Sequence, residues 1–219
     1  MKTKMLVIGL TGNLASGKTA VSKMFQELGA KVLDADRIAH RLLKRGSLCF
    51  KPVVRHFGED ILAGGEIDRG KLAGIVFNDE KKLQALNKII HPKVIQEIRK
   101  EIFTTSKSNQ THDSPSPSTE KNKMKAIVVE AALLIESGLN VLADVVVVVK
   151  ANRRLQIQRA VERMKISPAE ALRRIKMQRD IKEKLKYADI VIDNRGDLNL
   201  TKKQVEDIWQ RLTQRKTAK

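Results

Sequence analysis

The sequence predicts an α/β fold in which a parallel β-sheet is covered by helices on both faces. Three observations support this. The apolar run MLVIGL (residues 5–10) leads directly into a glycine-rich loop, apolar runs alternate with helical patterns along the chain, and one later run contains five consecutive valines. Because uninterrupted apolar runs are typical of strands buried on both faces of a parallel sheet, we expect a doubly wound α/β domain.

The first elements follow from the spacing of apolar residues. Residues 5–10 are expected to form the first strand, and apolar residues then recur at helical spacing over residues 18–28. Gly29 is expected to end that helix. The segment KVLDAD (31–36) is predicted to be a second strand that carries two carboxylates at its end, followed by a helix at 37–44.

The middle of the chain divides into a helical and a polar part. Residues 47–103 are mostly helical by pattern, and we expect Pro92 to break their last portion into two amphipathic stretches because proline blocks helix propagation. Residues 104–125 contain one strongly apolar residue, Met124, and two of the five prolines of the chain. Such a composition buries too little surface to offset its ordering entropy, so a flexible surface loop is expected there.

The remaining elements return to the alternating pattern. Two further buried strands are predicted at 126–134 and 144–150, since runs of valine favour strands over helices. Residues 151–186 are helical by pattern and basic, with 12 Lys and Arg against 4 Asp and Glu. A last short strand is expected at 188–194 and a closing amphipathic helix at 201–215.

Composition limits the classes of function. The chain has 219 residues, of which 42% are hydrophobic, and it has no apolar run long enough to predict a membrane span. Its net charge of +18 attracts polyanions, either nucleic acid, an acidic membrane surface or phosphorylated metabolites. Only 3% of residues are aromatic and no nucleic-acid reading motif is present, so no specific nucleic-acid partner is expected. The single cysteine, Cys49, is consistent with a reducing cytoplasm.

The glycine-rich loop carries the strongest chemical signal. Gly12, Gly17, Lys18 and Thr19 match the pattern GxxxxGK[ST] between a predicted strand and a predicted helix, which is the context that the pattern requires. Such loops turn their N–H groups around phosphate oxygens, with the positive end of the following helix behind them. The residues expected around the ATP phosphates are Gly12, Asn13, Leu14, Ala15, Ser16, Gly17, Lys18, Thr19 and Ala20.

Within this loop, Lys18 is expected to bridge the β- and γ-phosphates and Thr19 to coordinate Mg²⁺. The donor is therefore predicted to be a nucleoside triphosphate. No guanine-reading NKxD motif is present, so a kinase is favoured over a GTPase. A kinase also needs a base near the acceptor hydroxyl, and positively charged groups that offset the negative charge of the phosphoryl group as it is transferred.

Two acidic residues, Asp36 and Glu130, are candidates for roles beside the phosphates. Asp34 and Asp36 end the second predicted strand with both side chains on one face, where Asp36 could accept a hydroxyl proton. The alternative for Asp36 is an N-cap of the next helix. Glu130 lies within a predicted buried strand and could lie near Mg²⁺, because burying a carboxylate there is costly unless it faces a site. A structural pair with a basic residue is the alternative for Glu130.

The basic segment at 151–186 contains an arginine pair suited to phosphate. Arg159 and Arg163 are four residues apart and so share a helix face. Such a pair can stabilise a transferring phosphoryl group, and we expect the segment to form a lid over the donor. A solvated basic helix is the alternative.

These elements, taken in order, resemble the dephospho-CoA kinase family over about residues 6–196. The resemblance rests on GLTGNLASGKTAV, VLDADRIAHRLL, GEIDRGKLAGIVFND, LNKIIHPKV, EAALLIESGL, the QIQRAVER stretch, Gln178 and ADIVIDNRG. It implies ATP- and magnesium-dependent phosphorylation of the ribose 3′-hydroxyl of dephospho-CoA, which gives CoA and ADP in the last step of coenzyme A biosynthesis.

The resemblance also implies an architecture and residue roles. It implies a three-layer α/β/α P-loop core made of residues 5–36, 126–150 and 188–215, within one domain that spans the whole chain. A helical region at 37–103 would receive the acceptor, and the lid would lie within 151–186. By this resemblance, Asp36 is the base, Arg159 stabilises the phosphates and His91 lies on the acceptor side.

The sequence departs from the family pattern in three places. Asn13-Leu14-Ala15 stands where the family usually has Gly-Ile-Gly, Ala132 stands where a proline is usual, and the 104–125 insert is long. Because Ala15 lacks the conformational freedom of glycine, we expect a negative φ there if activity is intact. None of the departures removes a group with a chemical role. The rival functions are a P-loop kinase for another small molecule, such as a nucleoside, and an ATP-dependent nucleic-acid-binding protein.

Overall fold

The computed structural model describes residues 5–111 and 124–214. The chain divides into two compact units. The first contains Met1–Leu33 and Glu101–Lys219, and the second contains Asp34–Lys100.

The first unit is built on a five-stranded sheet. Its strands are β1 (Leu6–Thr11), β2 (Ala30–Asp34, whose last residue begins the second unit), β5 (Ala126–Glu130), β6 (Val145–Lys150) and β7 (Ile190–Asp193). Their order is β2-β5-β1-β6-β7, and the β1–β5, β1–β6 and β6–β7 pairings are parallel. β1 and β5 are buried along their whole length, as their apolar runs predict. The predicted α/β fold with a parallel sheet is confirmed.

Helices of the first unit complete its core. They are α1 (Lys18–Glu27), the basic helices α6 (Arg153–Met164), α7 (Pro168–Lys176) and α8 (Ile181–Leu185), and the closing helix α9 (Leu198–Gln214). A short 3-10 helix at Leu139–Leu142 precedes β6. Phe25 of α1 packs against Trp209 of α9 with ring centroids 6.1 Å apart, which closes the apolar cluster beside the sheet.

Three side chains set the starts of the basic helices. Asn152 accepts a hydrogen bond from the N–H of Leu155, Ser167 from that of Glu170, and Asp180 from that of Lys182. Each cap satisfies an N–H that the first helical turn leaves without a partner. The segment predicted to be helical, residues 151–186, therefore contains three separate helices.

The second unit is helical apart from one small hairpin. Its elements are α2 (Ala35–Leu42), α3 (Phe50–Phe57), a 3-10 turn at Glu59–Ile61, β3 (Leu62–Ala63) paired antiparallel with β4 (Glu66–Ile67), α4 (Arg69–Val76) and α5 (Glu80–Thr111), which belongs to this unit as far as Lys100. Asp68 caps α4 by accepting from two backbone N–H groups. Cys49 is buried here, and burial raises the pKa of its thiol.

The predicted break at Pro92 is wrong, because α5 continues through that residue. Proline removes one hydrogen bond from a helix interior. Apolar side chains on both sides of Pro92 are buried at four-residue spacing, namely Leu86, Ile90, Val94 and Ile98. Packing of this continuous face holds the helix together across the proline, since tertiary burial outweighs a single lost bond.

Several predicted boundaries also change, among them those of β2, β5 and α5. The second strand is predicted to end at residue 36, but β2 ends at Asp34. The strand predicted at 126–134 is also shorter, because β5 ends at Glu130. α5 extends to Thr111, so the first eight residues of the segment predicted as a flexible loop (104–125) are helical. Residues 112–123 of that segment lie outside the described part of the chain.

None of the helices in the two described ranges combines the length and apolar composition that crossing a membrane would require.

Candidate active site

The phosphate loop (residues 12–19) joins β1 to α1 at the carboxyl end of the sheet. It turns through a hydrogen bond of 3.1 Å from the N–H of Ser16 to the carbonyl of Asn13. Both glycines of the loop are required, because a Cβ at either position would collide with neighbouring atoms. A Cβ on Gly12 would lie 2.3 Å from the carbonyl oxygen of Val149, and a Cβ on Gly17 would lie 1.9 Å from Nδ2 of Asn194. Gly17 also has a φ of 100°, which residues with a Cβ rarely adopt.

Lys18 lies inside the curve of this loop. Its side chain is buried, and Nζ donates to the carbonyl oxygens of Gly12 at 3.0 Å and of Asn13 at 3.3 Å. These carbonyls hold the ammonium group at the centre of the loop. A buried cation held in this way, at the N-terminus of α1, is positioned to meet an anion that enters the loop.

The prediction of a negative φ at Ala15 is wrong, because φ there is 54°. This value lies in the small left-handed region that residues with a Cβ can enter at a cost of about 1–2 kcal/mol. The Ser16 N–H bond to Asn13 closes the turn across Ala15. The geometry of the loop therefore overrides the preference of alanine.

Glu130 lies beside the start of α1, as its position at the end of β5 requires. Its carboxylate is buried and accepts from Oγ1 of Thr19 at 2.9 Å and from Oγ of Ser22 at 2.6 Å. The structure thus brings together Thr19 and Glu130, the two residues predicted for magnesium. Two hydroxyls, rather than a basic residue, hold the carboxylate in these contacts.

The described residues contain no group of three or more His, Cys, Asp and Glu side chains arranged to hold a metal ion. This is compatible with a magnesium site, because Mg²⁺ in phosphoryl-transfer sites keeps several waters and takes its remaining ligands from one or two protein groups and the substrate phosphates. The Thr19 hydroxyl and the Glu130 carboxylate supply oxygen groups of the required kind.

Arg159 of α6 lies against the phosphate loop. Its Nη2 donates to the carbonyl oxygen of Asn194 at 3.4 Å, and its Nη1 is 3.8 Å from the point that a Cβ of Gly17 would occupy. Arg163 lies one helical turn further along α6 and is exposed. The structure therefore places Arg159 at the loop and leaves Arg163 in solvent.

Three buried side-chain atoms in the described residues have no hydrogen-bond partner, and all three lie at this loop. They are Oδ1 of Asn13, Oγ of Ser16 and Nη1 of Arg159. A buried polar atom without a partner is costly, and such atoms are rare in folded proteins. The Ser16 hydroxyl and the Arg159 guanidinium are donors, so phosphate oxygens in the loop would satisfy both. These two groups therefore fit a phosphate bound in the loop.

Asp36 and His91 belong to the second unit. Asp36 is exposed in the first turn of α2, and His91 is half-buried within α5. The N-cap of α2 is Asp34, which accepts from the N–H of Arg37 at 2.9 Å. The N-cap alternative for Asp36 is therefore wrong, and so is the expectation that Asp34 and Asp36 share one face of a strand, because the helix begins between them.

Two residues that contact the loop had no role in the sequence-based predictions. Gln178 Oε1 accepts from the N–H of Leu14 at 2.7 Å, and Asn194 Nδ2 donates to the carbonyl oxygen of Ser16 at 2.7 Å. They are separated from their partners by 164 and 178 residues. Both lie in stretches that carried the family resemblance, and that was the one signal that could have drawn attention to them.

Comparison with known proteins identifies a family for this chain. The model of the family described as CoaE, Dephospho-CoA kinase, matches residues 6–199. The chain is 41% identical over 206 residues to dephospho-CoA kinase of Carboxydothermus hydrogenoformans, covering 94% of this chain and 93% of that protein. It is 42% identical over 207 residues to dephospho-CoA kinase of Aquifex aeolicus, covering 94% and 97%.

Among solved structures, dephospho-CoA kinase from Campylobacter jejuni is similar to this one. Its TM-score is 0.65 with 29% sequence identity, over 95% of this chain and 97% of that chain. The similarity in sequence and in structure therefore extends over nearly the whole chain, beyond the phosphate loop that many nucleotide-binding proteins share.

The left-handed Ala15 yields a prediction about stability. Replacing it with glycine (Ala15→Gly) removes the steric cost of φ 54°, so the melting temperature should rise. The net gain should be about 1 kcal/mol, because the greater freedom of glycine in the unfolded chain offsets part of the relief.

The matched control is Ala169→Gly, at an exposed position of α7. There the same change should lower stability by about 0.5–1 kcal/mol, because right-handed helix favours alanine. Thermal unfolding of both variants checks the pair, and equal destabilisation by the two would contradict the strain at Ala15.

Proposed function

The chain belongs to the dephospho-CoA kinase family, and we propose that it transfers the γ-phosphoryl group of ATP to the ribose 3′-hydroxyl of dephospho-CoA, releasing CoA and ADP. The identity of the acceptor comes from the family. The donor half of the proposal depends on one observation, which is a buried Lys18 ammonium enclosed by the phosphate loop beside unpaired donors from Ser16 and Arg159.

The residues of the phosphate loop act as the donor site. Backbone N–H groups of the loop and of the first turn of α1 meet the β- and γ-phosphate oxygens at the positive end of that helix. Lys18 Nζ exchanges its carbonyl partners for these oxygens as they enter. Its charge then offsets the charge that builds up on the γ-phosphoryl group and on the departing β-phosphate.

Thr19 and Glu130 are the residues we assign to magnesium. A magnesium ion held there would neutralise part of the charge of the phosphates. The Thr19 hydroxyl would be the direct ligand. Glu130, which already accepts from that hydroxyl, fixes its orientation and supplies a negative charge behind it.

Arg159 stabilises the phosphates from the side of the loop that faces α6. Its Nη1 has no partner in the described structure, so it is available to a phosphate oxygen without breaking an existing bond. Arg163 is exposed and contributes to the lid, the basic segment at 151–186, through its charge. A guanidinium at this place acts on the transferring group as a fixed positive charge.

Asp36 is the proposed base. Its carboxylate accepts the proton of the acceptor 3′-hydroxyl while the new O–P bond forms and the bond between the γ-phosphorus and the bridging oxygen breaks. Asp36 is exposed in the first turn of α2, and the backbone there is fixed by the cap from Asp34. His91 is assigned to the acceptor side. We place the reaction in the cytoplasm, because the chain has one cysteine and therefore no internal disulfide.

The experiment that tests the function is ADP release by the purified chain with Mg-ATP, with and without dephospho-CoA, and with the product mass determined. We expect release to depend on the acceptor, and the acceptor to gain one phosphate. Phosphorylation of nucleosides in place of dephospho-CoA would contradict the proposed acceptor. ATP hydrolysis stimulated by nucleic acid, without acceptor phosphorylation, would contradict the kinase assignment altogether.

Asp36→Asn is expected to bind ATP normally and to lose most of its turnover. The amide has the shape of the carboxylate but cannot take the hydroxyl proton, so kcat should fall by about 10²–10⁴. Asp34→Asn is the matched control, because asparagine caps a helix as well as aspartate does. Steady-state kinetics separates the two, and normal turnover by Asp36→Asn would remove it from the mechanism.

Glu130→Gln is expected to raise the Mg²⁺ concentration needed for half-maximal turnover by about tenfold or more. The change keeps the shape and one hydroxyl contact but removes the negative charge behind Thr19. Glu27→Gln, at the exposed end of α1, is the control for loss of a carboxylate. An unchanged Mg²⁺ requirement in Glu130→Gln would make Glu130 a purely structural acceptor.

A further inference from the structure

Two side-chain amides hold the phosphate loop on opposite sides of Ala15. Gln178 Oε1 accepts from the N–H of Leu14, the residue before Ala15, at 2.7 Å. Asn194 Nδ2 donates to the carbonyl of Ser16, the residue after it, at 2.7 Å. The residue between these two bonds has a φ of 54°. The two contacts thus bracket the one loop position where a residue with a Cβ is held in the left-handed region.

Asn194 is fixed on three sides. The Thr201 hydroxyl, fully buried on α9, donates to Asn194 Oδ1 at 3.0 Å, which leaves Nδ2 to face Ser16. The Asn194 N–H donates to the carbonyl of Lys150 at 2.9 Å. The side chain of Gln204 holds Asp193, the residue before Asn194. Its Oε1 accepts from the N–H of Asp193 and its Nε2 donates to the carbonyl of Asp193, both at 3.0 Å. The amide of Asn194 therefore has one orientation available.

The residues around Asn194 also fix the chain after it. Arg195 turns back onto Asp193, with Nε 2.9 Å from each carboxylate oxygen. The Arg195 guanidinium beside Asp193 lowers the pKa of that carboxyl. The pair keeps the turn at 193–195 closed, with the Asn194 side chain directed inward and the Arg195 side chain outward.

Gln178 is held by the residues that follow it. Lys184 of α8 is fully buried, donates to the carbonyl of Ala132 at 2.6 Å and pairs with Glu136 at 3.0 Å. Glu136 also accepts from the N–H of Arg179 at 3.2 Å. The Glu136 carboxylate therefore links both Arg179 and Lys184 to the chain that follows β5. These contacts hold the neighbouring Gln178 next to the loop.

We propose that Gln178 and Asn194 are positioning residues that keep the phosphate loop in its nucleotide-binding shape by fixing the backbone on the two sides of Ala15. In this chain the left-handed conformation at position 15 is not favoured by the residue itself. The two amides supply the missing constraint, and Gly17 permits the close approach of Asn194, since a Cβ there would lie 1.9 Å from Nδ2. The inference rests on the proposed binding of ATP to this loop.

The first variants are Gln178→Met, which keeps the size of the side chain and removes the acceptor, and Asn194→Leu, which removes the donor. Calorimetric titration of the full chain with Mg-ATP, without acceptor, should show Kd raised about tenfold by each. Gln210→Met, at an exposed position of α9, is the control and should bind as the wild type does. Kinetics should show the same rise in KM for ATP and a much smaller change in kcat.

Combining the amide variants with Ala15→Gly distinguishes positioning of the loop from a general structural role of Gln178 and Asn194. With glycine at this position, the left-handed conformation is populated without help. In the Ala15→Gly background, the rise in Kd caused by Gln178→Met or Asn194→Leu should then shrink to about threefold or less. Equal rises in the wild-type and Ala15→Gly backgrounds would overturn the proposal, because the amides would then act on something other than the conformation at this position.

Two further measurements keep the test decisive. Thr201→Val leaves Asn194 in place but frees its amide to rotate, so it should reproduce the rise in Kd if Asn194→Leu fails to fold. Hydrogen exchange at the Leu14 N–H, measured without nucleotide, should speed up in Gln178→Met. If the wild type binds ATP and the variants bind it equally well, the positioning role alone is wrong. If the wild type does not bind ATP, the proposed function fails together with it.

Discussion

The conformation of the phosphate loop is the constraint on which the rest of the first unit depends. The loop must reverse the chain between β1 and α1 while its N–H groups face one point, and Lys18 must lie inside the curve. Parallel strands on both sides of β1 meet this requirement, because β5 brings Glu130 to one flank and β6 brings the carbonyl of Val149 to the other. The sheet order therefore determines the surroundings of the loop.

Features encoded by neighbouring residues were predictable from the sequence. The strand before the loop, the glycines within it and the helix after it are all local patterns, and the buried Lys18 follows from them. The hydrogen bond between Thr19 and Glu130 could also be inferred from the sequence, because a carboxylate in an otherwise apolar strand needs a polar partner. Local pattern and burial together account for the position of Lys18 and for the contact of Thr19 with Glu130.

The wrong predictions share a physical cause. The break at Pro92, the negative φ at Ala15 and the N-cap alternative for Asp36 each relied on the preference of one residue, and in each case structure beyond that residue decided the outcome. Burial of an apolar face carried α5 through the proline, the turn across the loop imposed φ 54° on Ala15, and Asp34 took the capping position. Single-residue preferences are worth about 1–3 kcal/mol, which several packed side chains exceed. The loop contacts of Gln178 and Asn194 span more than 160 residues, so no local pattern could reveal them.

The backbone conformations at Ala15 and Gly17 also explain which substitutions the loop accepts at these two positions. At Ala15, φ is 54°, inside the region that a residue with a Cβ can occupy at modest cost. At Gly17, φ is 100°, outside that region, and a Cβ would collide with Asn194. Alanine is therefore tolerated at the first position and excluded at the second. The collision at Gly17 is with the same side chain that holds the carbonyl of Ser16, so the glycine and the asparagine each require the other.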